Sequence, residues 1–155
     1  MNVFYEILSD LKTTLESSEL LENIKIVDSL NSSSMPGILK KVYAAVGIDN
    51  VQVTRGSFSD YIGETIDEEL FGKLADIDIG IKIYSPFNIG SQSCYDAFSD
   101  ICEVLLKSDN ADLNIQSISS GSIKYDINTS NFILDCVIKI STFVGYEKEK
   151  LNDND

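Results

Sequence analysis

ADIDIGIKIYSPFNIGSQSCYDAFSDICEVLL, residues 75–106, reads as a strand, a sharp turn and a helix without interruption. Ala75, Ile77, Ile79, Ile81 and Ile83 alternate with Asp76, Asp78, Gly80, Lys82 and Tyr84, the period of a strand with one apolar and one mostly polar face. Ser85-Pro86 stops the ladder, because proline has no N–H to donate. Asn88-Ile89-Gly90-Ser91 turns the chain into a helix over Ser91–Lys107. There Asp96, Ser99, Asp100, Glu103 and Lys107 share a narrow polar wedge, and Tyr95, Phe98, Ile101, Cys102, Leu105 and Leu106 take much of the rest. That distribution predicts a helix covered on more than one side. Ser91 or Ser93 is placed to cap its start, and Lys107 complements its C-terminal dipole.

Upstream, Phe4, Ile7, Leu8, Leu11 and Leu15 fall on one side at 3.6 residues per turn, so residues 2–17 read as an amphipathic helix. Ser17-Ser18 ends it, or a short extension through Leu21 follows. Ile24, Ile26 and Asp28 begin a short strand with Lys25 and Val27 on its other face. Met35-Pro36-Gly37 is a breaker. Ile38–Val46 fits a helix or an extended segment; the Pro-Gly start and the β-branched Val51 and Val53 beyond Gly47 favour the extended one. Arg55–Gly72 reads as a long, acidic loop bounded by glycines, with room for a helical turn at Asp67–Phe71.

Downstream, Ile115–Tyr125 is a strand that Ser119-Ser120-Gly121 bulges or kinks. Asp126–Asn131 is a hairpin connection, and Phe132–Phe143 is the longest strand expected. The order predicts a single α+β domain over residues 1–146 and a charged tail over 147–155. Its sheet is largely antiparallel or mixed, of about four to five strands, with two main helices packed on one face.

Composition narrows the chemistry. The chain has 155 residues, enough for one domain with a sizeable core, and 43% of them are apolar. No apolar run approaches the roughly 18 residues of a membrane span. Met1–Leu15 is amphipathic and acidic, with neither the basic start nor the small-residue cleavage site of a secretory signal. There is no histidine, which excludes Ser-His-Asp and Cys-His catalysis and histidine-ligated metals. The net charge of −13 opposes a grip on nucleic acid. Cys94, Cys102 and Cys136 form no CxxC, and the first two, on one helix, are roughly 12 Å apart, too far to bridge. They read as free thiols in the core.

Asp76 and Asp78 stand on one strand face about 7 Å apart, suited either to a divalent cation or to a solvated or subunit-facing sheet surface. Gly47, Gly56, Gly63 and Gly72 match neither GxGxxG nor a P-loop. Tyr84, Tyr125, Phe143 and Tyr146 lie in or beside predicted strands, as core or interface residues do. Glu64, Asp67, Glu68 and Glu69 cluster in the long loop, as a solvated patch or a negatively charged rim.

Three features together resemble the tail terminator, or tail completion, proteins of long-tailed bacteriophages and phage-tail-like particles. They are the opening helix Phe4–Leu15, the stretch Pro36–Gly47 leading into Val51-Gln-Val53, and the strand, proline turn and helix from Ile77 through Pro86, Gly90 and Cys94 to Leu106. The acidic loop and tail depart from the family's pattern. The resemblance implies a homohexameric ring that caps the tail tube, stops its polymerisation and offers a docking surface to the head, collar or sheath end. It implies no enzymatic activity and no cofactor. Its partners would be further copies of the chain, the tail tube protein, and a sheath or head-completion protein, with no sequence-specific nucleic acid and no membrane. Assembly would take place in the bacterial host cytoplasm, and the product would reside in the virion or particle.

An antiparallel sheet with exposed edges closes into a ring when neighbours meet head to tail. Asp60, Glu64, Asp67, Glu68 and Glu69 would then form a loop projecting from the ring or lining its lumen, where negative charge repels passing DNA. Tyr84, Tyr95, Phe98 and Phe143 are the candidates for subunit packing. The rival readings are another head–tail connector or neck component and a small metal-dependent enzyme using Asp76 and Asp78.

Overall fold

The computed structural model describes residues 3–29, 37–55, 61–64, 69–108 and 113–146. Its elements in chain order are helix α1 (Val3–Glu16), a 3-10 turn (Glu19–Leu21), strands β1 (Ile24–Asp28), β2 (Val42–Thr54), β3 (Tyr61–Glu64) and β4 (Glu69–Pro86), helix α2 (Gln92–Lys107), and strands β5 (Ile115–Ser120), β6 (Lys124–Asp126) and β7 (Asn131–Tyr146). The α+β class is as the sequence predicts. The sheet has seven strands rather than four to five: β1-β2-β4-β7-β5 form its main path, β3 pairs β4, and β6 pairs β7. Only the β1–β2 pair is parallel among the described strands; every other pair is antiparallel.

The decisive alternation holds in three dimensions. Ala75, Ile77, Ile79, Ile81 and Ile83 are each at most 2% exposed and stand on one sheet face. Leu134, Cys136, Ile138 and Ile140 continue that face on β7, while Ile26, Ala44 and Val46 extend it across β1 and β2. Both helices cover it. Helix α1 contributes Ile7, Leu8, Leu11 and Leu15; α2 contributes Cys94, Ala97, Ile101 and Leu105. Each fully buried isoleucine here stabilises the fold by roughly 1.5–3 kcal/mol of transfer free energy.

Several boundaries differ from expectation, each for a physical reason. Helix α2 meets the sheet, α1 and the 3-10 turn, and Phe98 and Val104 also pack against the core, yet one flank stays open. Its buried residues recur every three or four positions and point at the sheet, whereas Tyr95 is 41% and Leu106 77% exposed. Ser91 holds the N-cap position without a side-chain capping bond; the first turn closes instead through the Cys94 N–H to the Ser91 carbonyl, 3.1 Å. Strand β4, with 18 residues, is longer than β7, with 16, because beyond the ladder that matches Phe71–Pro86 to all of β7 it continues through Leu70 and Glu69 against β3.

The supposed loop Arg55–Gly72 is in part a hairpin. Glu64 pairs with Glu69 and Tyr61 with Phe71, so no helical turn forms over residues 69–71. The remaining part of that turn, Asp67 and Glu68, lies outside the described residues, as do Asp60 and the tail 147–155. The extended reading of Ile38–Val46 holds from Val42 onward; residues 37–41 are irregular. Ile115–Tyr125 divides at Gly121 into β5 and β6, both paired to β7. Val27 and Ala45 are buried on the sheet face away from the helices, so β1 and β2 are covered on both sides.

Candidate assembly surface

The turn joining β4 to α2 is tied by several hydrogen bonds. Ile89 and Gly90 N–H groups both donate to the Pro86 carbonyl, at 3.0 and 3.2 Å. The Ser85 hydroxyl, fully buried, donates to the Gly90 carbonyl at 2.8 Å, and Gly90 takes φ +100°, which side chains disfavour. This rigid turn holds Phe87 out at the end of the sheet, 62% exposed. Phe87 stacks on Phe132 with centroids 5.9 Å apart and meets Tyr125 edge-on at 5.8 Å. Ile89 and Ile127, also exposed, belong to the connections at this same end of the sheet. The result is an apolar cap around the β6–β7 hairpin. Sequence reasoning placed Tyr125 and Phe132 in strands and missed the rest; the signal was the apolar residues inside two turns, Phe87 and Ile89 in one and Ile127 in the other.

At the far end of the sheet, β4 and β7 run beyond the helix-covered core. None of the described side chains of 71–74 or 141–145 belongs to the buried core cluster. Beside them β2 reaches Thr54 opposite Leu74, and β3 resumes the same line along β4 at Phe71. Val53 and Phe143 on this projection are 47% and 53% exposed.

The sheet face away from the helices carries a cleft of about 490 Å³, lined among others by Asp28, Asp49, Lys82, Tyr84 and Asp135. Asp49 is the extra residue of a bulge between Ile48 and Asn50. Its carboxylate lies over Gly80, where an added Cβ would meet it at 2.3–2.6 Å. Lys82 lies 3.6 Å from Asp135, with both side chains half exposed, so the pair contributes little. Burial raises the Tyr84 hydroxyl pKa; Lys82 opposes that shift and Asp135 adds to it.

The expected site residues therefore separate. Glu64 is exposed at the end of β3, and Glu69 opens β4 opposite it. Of the subunit-packing set, Phe143 and Tyr95 are exposed, Tyr84 is half-buried beside the cleft, and Phe98 packs against the core. Tyr95 and Leu106, eleven positions apart, fall on one flank of α2 at about 100° per residue, with half-buried Cys102 between them. Asp76 stands opposite Gln52 and Ser141, and Asp78 opposite Asn50 and Lys139. Among the described residues, no three cysteine, aspartate or glutamate side chains converge as metal ligands. Cys94 and Cys136 are buried and Cys102 half-buried, all three as free thiols. Burial, with smaller contributions from Cys102, Asp135 and Cys94, pushes the Cys136 thiol up to about 12, so it is protonated and unreactive at neutral pH.

No family model and no curated protein matches the chain. Among solved structures, it is similar in fold to a chain of the "Virion of native gene transfer agent (GTA) particle", with a TM-score of 0.57 and 13% sequence identity. The likeness takes in 93% of this chain and 100% of the other.

Proposed function

We propose that the chain is a structural component of a phage-like particle, a tail terminator that assembles as a ring on the end of the tail tube. The observation that carries this reading is the fold shared over nearly the whole of both chains with a virion component. The surfaces support it. Two apolar regions, around Phe87 at one end of the sheet and at Val53 and Phe143 at the other, remain open to contact by other chains. The aspartates that a metal-dependent enzyme would use stand opposite a lysine, a serine and two amides, with no third ligand among the described residues. In this role the ring stops tube polymerisation and presents its opposite face to the head, collar or sheath end.

Light scattering over a concentration series tests the ring: a discrete species of six times 17.1 kDa is expected. Binding to purified tube ends, seen by electron microscopy, then separates a terminator from a neck component, which would form a ring and leave tube ends bare. A chain that neither assembles nor decorates tube ends would overturn the proposal.

A further inference from the structure

The helical layer stops short of the sheet. Helix α1 meets β1 and β2, and α2 meets β2, β4 and β7; β5, the next strand beyond β7, makes no comparable contact with either. Its helix-side positions are nevertheless apolar. Ile115 and Ile118 pair with Ile140 and Ile138 of the helix-covered face, so they stand on that face too, yet both are only partly buried. Ile123 follows, and Tyr125 pairs with Phe132 opposite Ser85 on the same face, which carries the strip into the cap around Phe87. Helix α2 supplies a wall beside this floor. Val104 stands about half a turn round the helix from Tyr95 at roughly 100° per residue. It lines a groove with Thr14, Ser18 and Leu20, so α1 and the 3-10 turn hold that flank. The flank of Tyr95, Cys102 and Leu106 is therefore the one turned towards β5. Tyr95, Ser99, Cys102 and Leu106 follow one another at intervals of four, three and four, the spacing by which one helix receives another.

The sequence outside the described residues does not supply a helix for this slot. Its longest run, 147–155, holds one apolar residue, Leu151, and the inner runs 30–36, 56–60, 65–68 and 109–112 are each shorter than two helical turns. A second copy is a poor occupant as well. Both of its helices already bury their apolar faces against its own sheet, and α1 carries Glu6, Asp10 and Glu16 against Lys12. The top of α2, beside the slot, is acidic too, with Asp96, Asp100 and Glu103. Gln92 answers Asp96 and Lys107 answers Glu103, which leaves Asp100 between two acidic neighbours. Like charges set side by side at an interface are costly, whereas opposite charges flanking an apolar stripe select the partner helix. We infer that the slot receives an amphipathic helix from a different chain of the particle, with an apolar stripe laid against Tyr95, Cys102 and Ile118 and with lysine or arginine on the flank beside Asp96 and Asp100. That helix completes the layer over β5 as its third member. The inference rests on the chain being a particle component and gives the chemistry of one of its partners.

Cys102 reports on the slot without a substitution, because Cys94 and Cys136 are buried. N-ethylmaleimide should label it in the free chain and leave it unlabelled in the assembled particle. A benzophenone side chain placed at position 95 and irradiated in the particle then identifies the neighbour by mass spectrometry. The expected product joins position 95 to a peptide of another particle protein, with apolar residues every three or four positions and basic residues beside them. Asp96→Lys with Asp100→Lys sets like charges together and should lower the yield of that product on the order of tenfold, with the circular dichroism spectrum unchanged. A product with a peptide of this chain, or with an acidic segment, overturns the inference, and so does a yield indifferent to the two lysines. Equal labelling of Cys102 in the free chain and the particle, with no cross-link, means an empty slot and overturns it as well. In each of those cases the chain's presence in the particle leaves its structural role standing. Absence of the chain from the particle overturns both.

Discussion

Asp100 shows how single charges are placed on the outer face of α2. Burial first, then Glu103 and Asp96, raise its carboxyl pKa. Asp96 and Asp100 are four apart and Asp100 and Glu103 three apart, the spacings at which helical side chains meet. Gln92 Nε2 donates to Asp96 at 3.3 Å and Lys107 pairs with Glu103, so both neighbours of Asp100 have local partners. A folded pKa above the unfolded value means that ionised Asp100 opposes folding, a cost present above the folded pKa and lost as pH falls through it. Asp100→Asn should therefore raise the melting temperature at pH 7, by on the order of a few tenths of a kcal/mol in stability. The gap to the parent should close as pH drops below roughly 4, where the aspartate is neutral in both states. Equal melting at pH 7, measured by scanning calorimetry, would refute this account of the residue.

At the scale of elements, the turn Ser85–Gly90 sets where α2 begins and where Phe87 points. Gly90 adopts φ +100° with open space around its Cα, so an added methyl would meet strain and no clash. Gly90→Ala should cost roughly 1–3 kcal/mol, the usual cost of forcing a side chain into that region. Urea denaturation should show the midpoint fall with an unchanged slope. A variant as stable as the parent would mean that the turn relaxes to negative φ and that Phe87 is not rigidly held. This unit was legible in the sequence because its signals agree: period-two isoleucines, a proline stop, a glycine turn, then period-3.6 apolar residues. The β3–β4 hairpin was not legible. Gly63, Glu64, Glu69 and Gly72 have poor strand propensity, and what makes them strand is pairing along β4 and β7, partners remote in sequence. Exposure along α2 was misjudged for a related reason, since the composition of a helix does not say which neighbour its second apolar flank meets. Tyr95 and Leu106 stay 41% and 77% exposed, and the sequence offers nothing that distinguishes them from core residues.

For the whole molecule, the net charge of −13 acts on any association of identical copies. Six copies in a ring would carry six times that charge, and their mutual repulsion opposes closure whatever the contact. A ring contact made from uncharged surface gives salt little attraction to screen and much repulsion to remove. Raising the salt from 0.1 M to 1 M shortens the Debye length from about 10 Å to about 3 Å. Ring formation should consequently strengthen with salt, and the concentration at half-assembly should fall, measured by light scattering in sodium chloride from 0.05 to 1 M (about the range over which screening changes most). An interface built on ion pairs gives the opposite slope, because screening weakens the pairs that hold it. Assembly that weakens with salt would therefore place the contact on the charged face around Lys82 and Asp135, where oppositely charged groups do stand together. The sign of one slope thus separates a ring built on uncharged surface from one built on ion pairs, without a substitution that risks the fold.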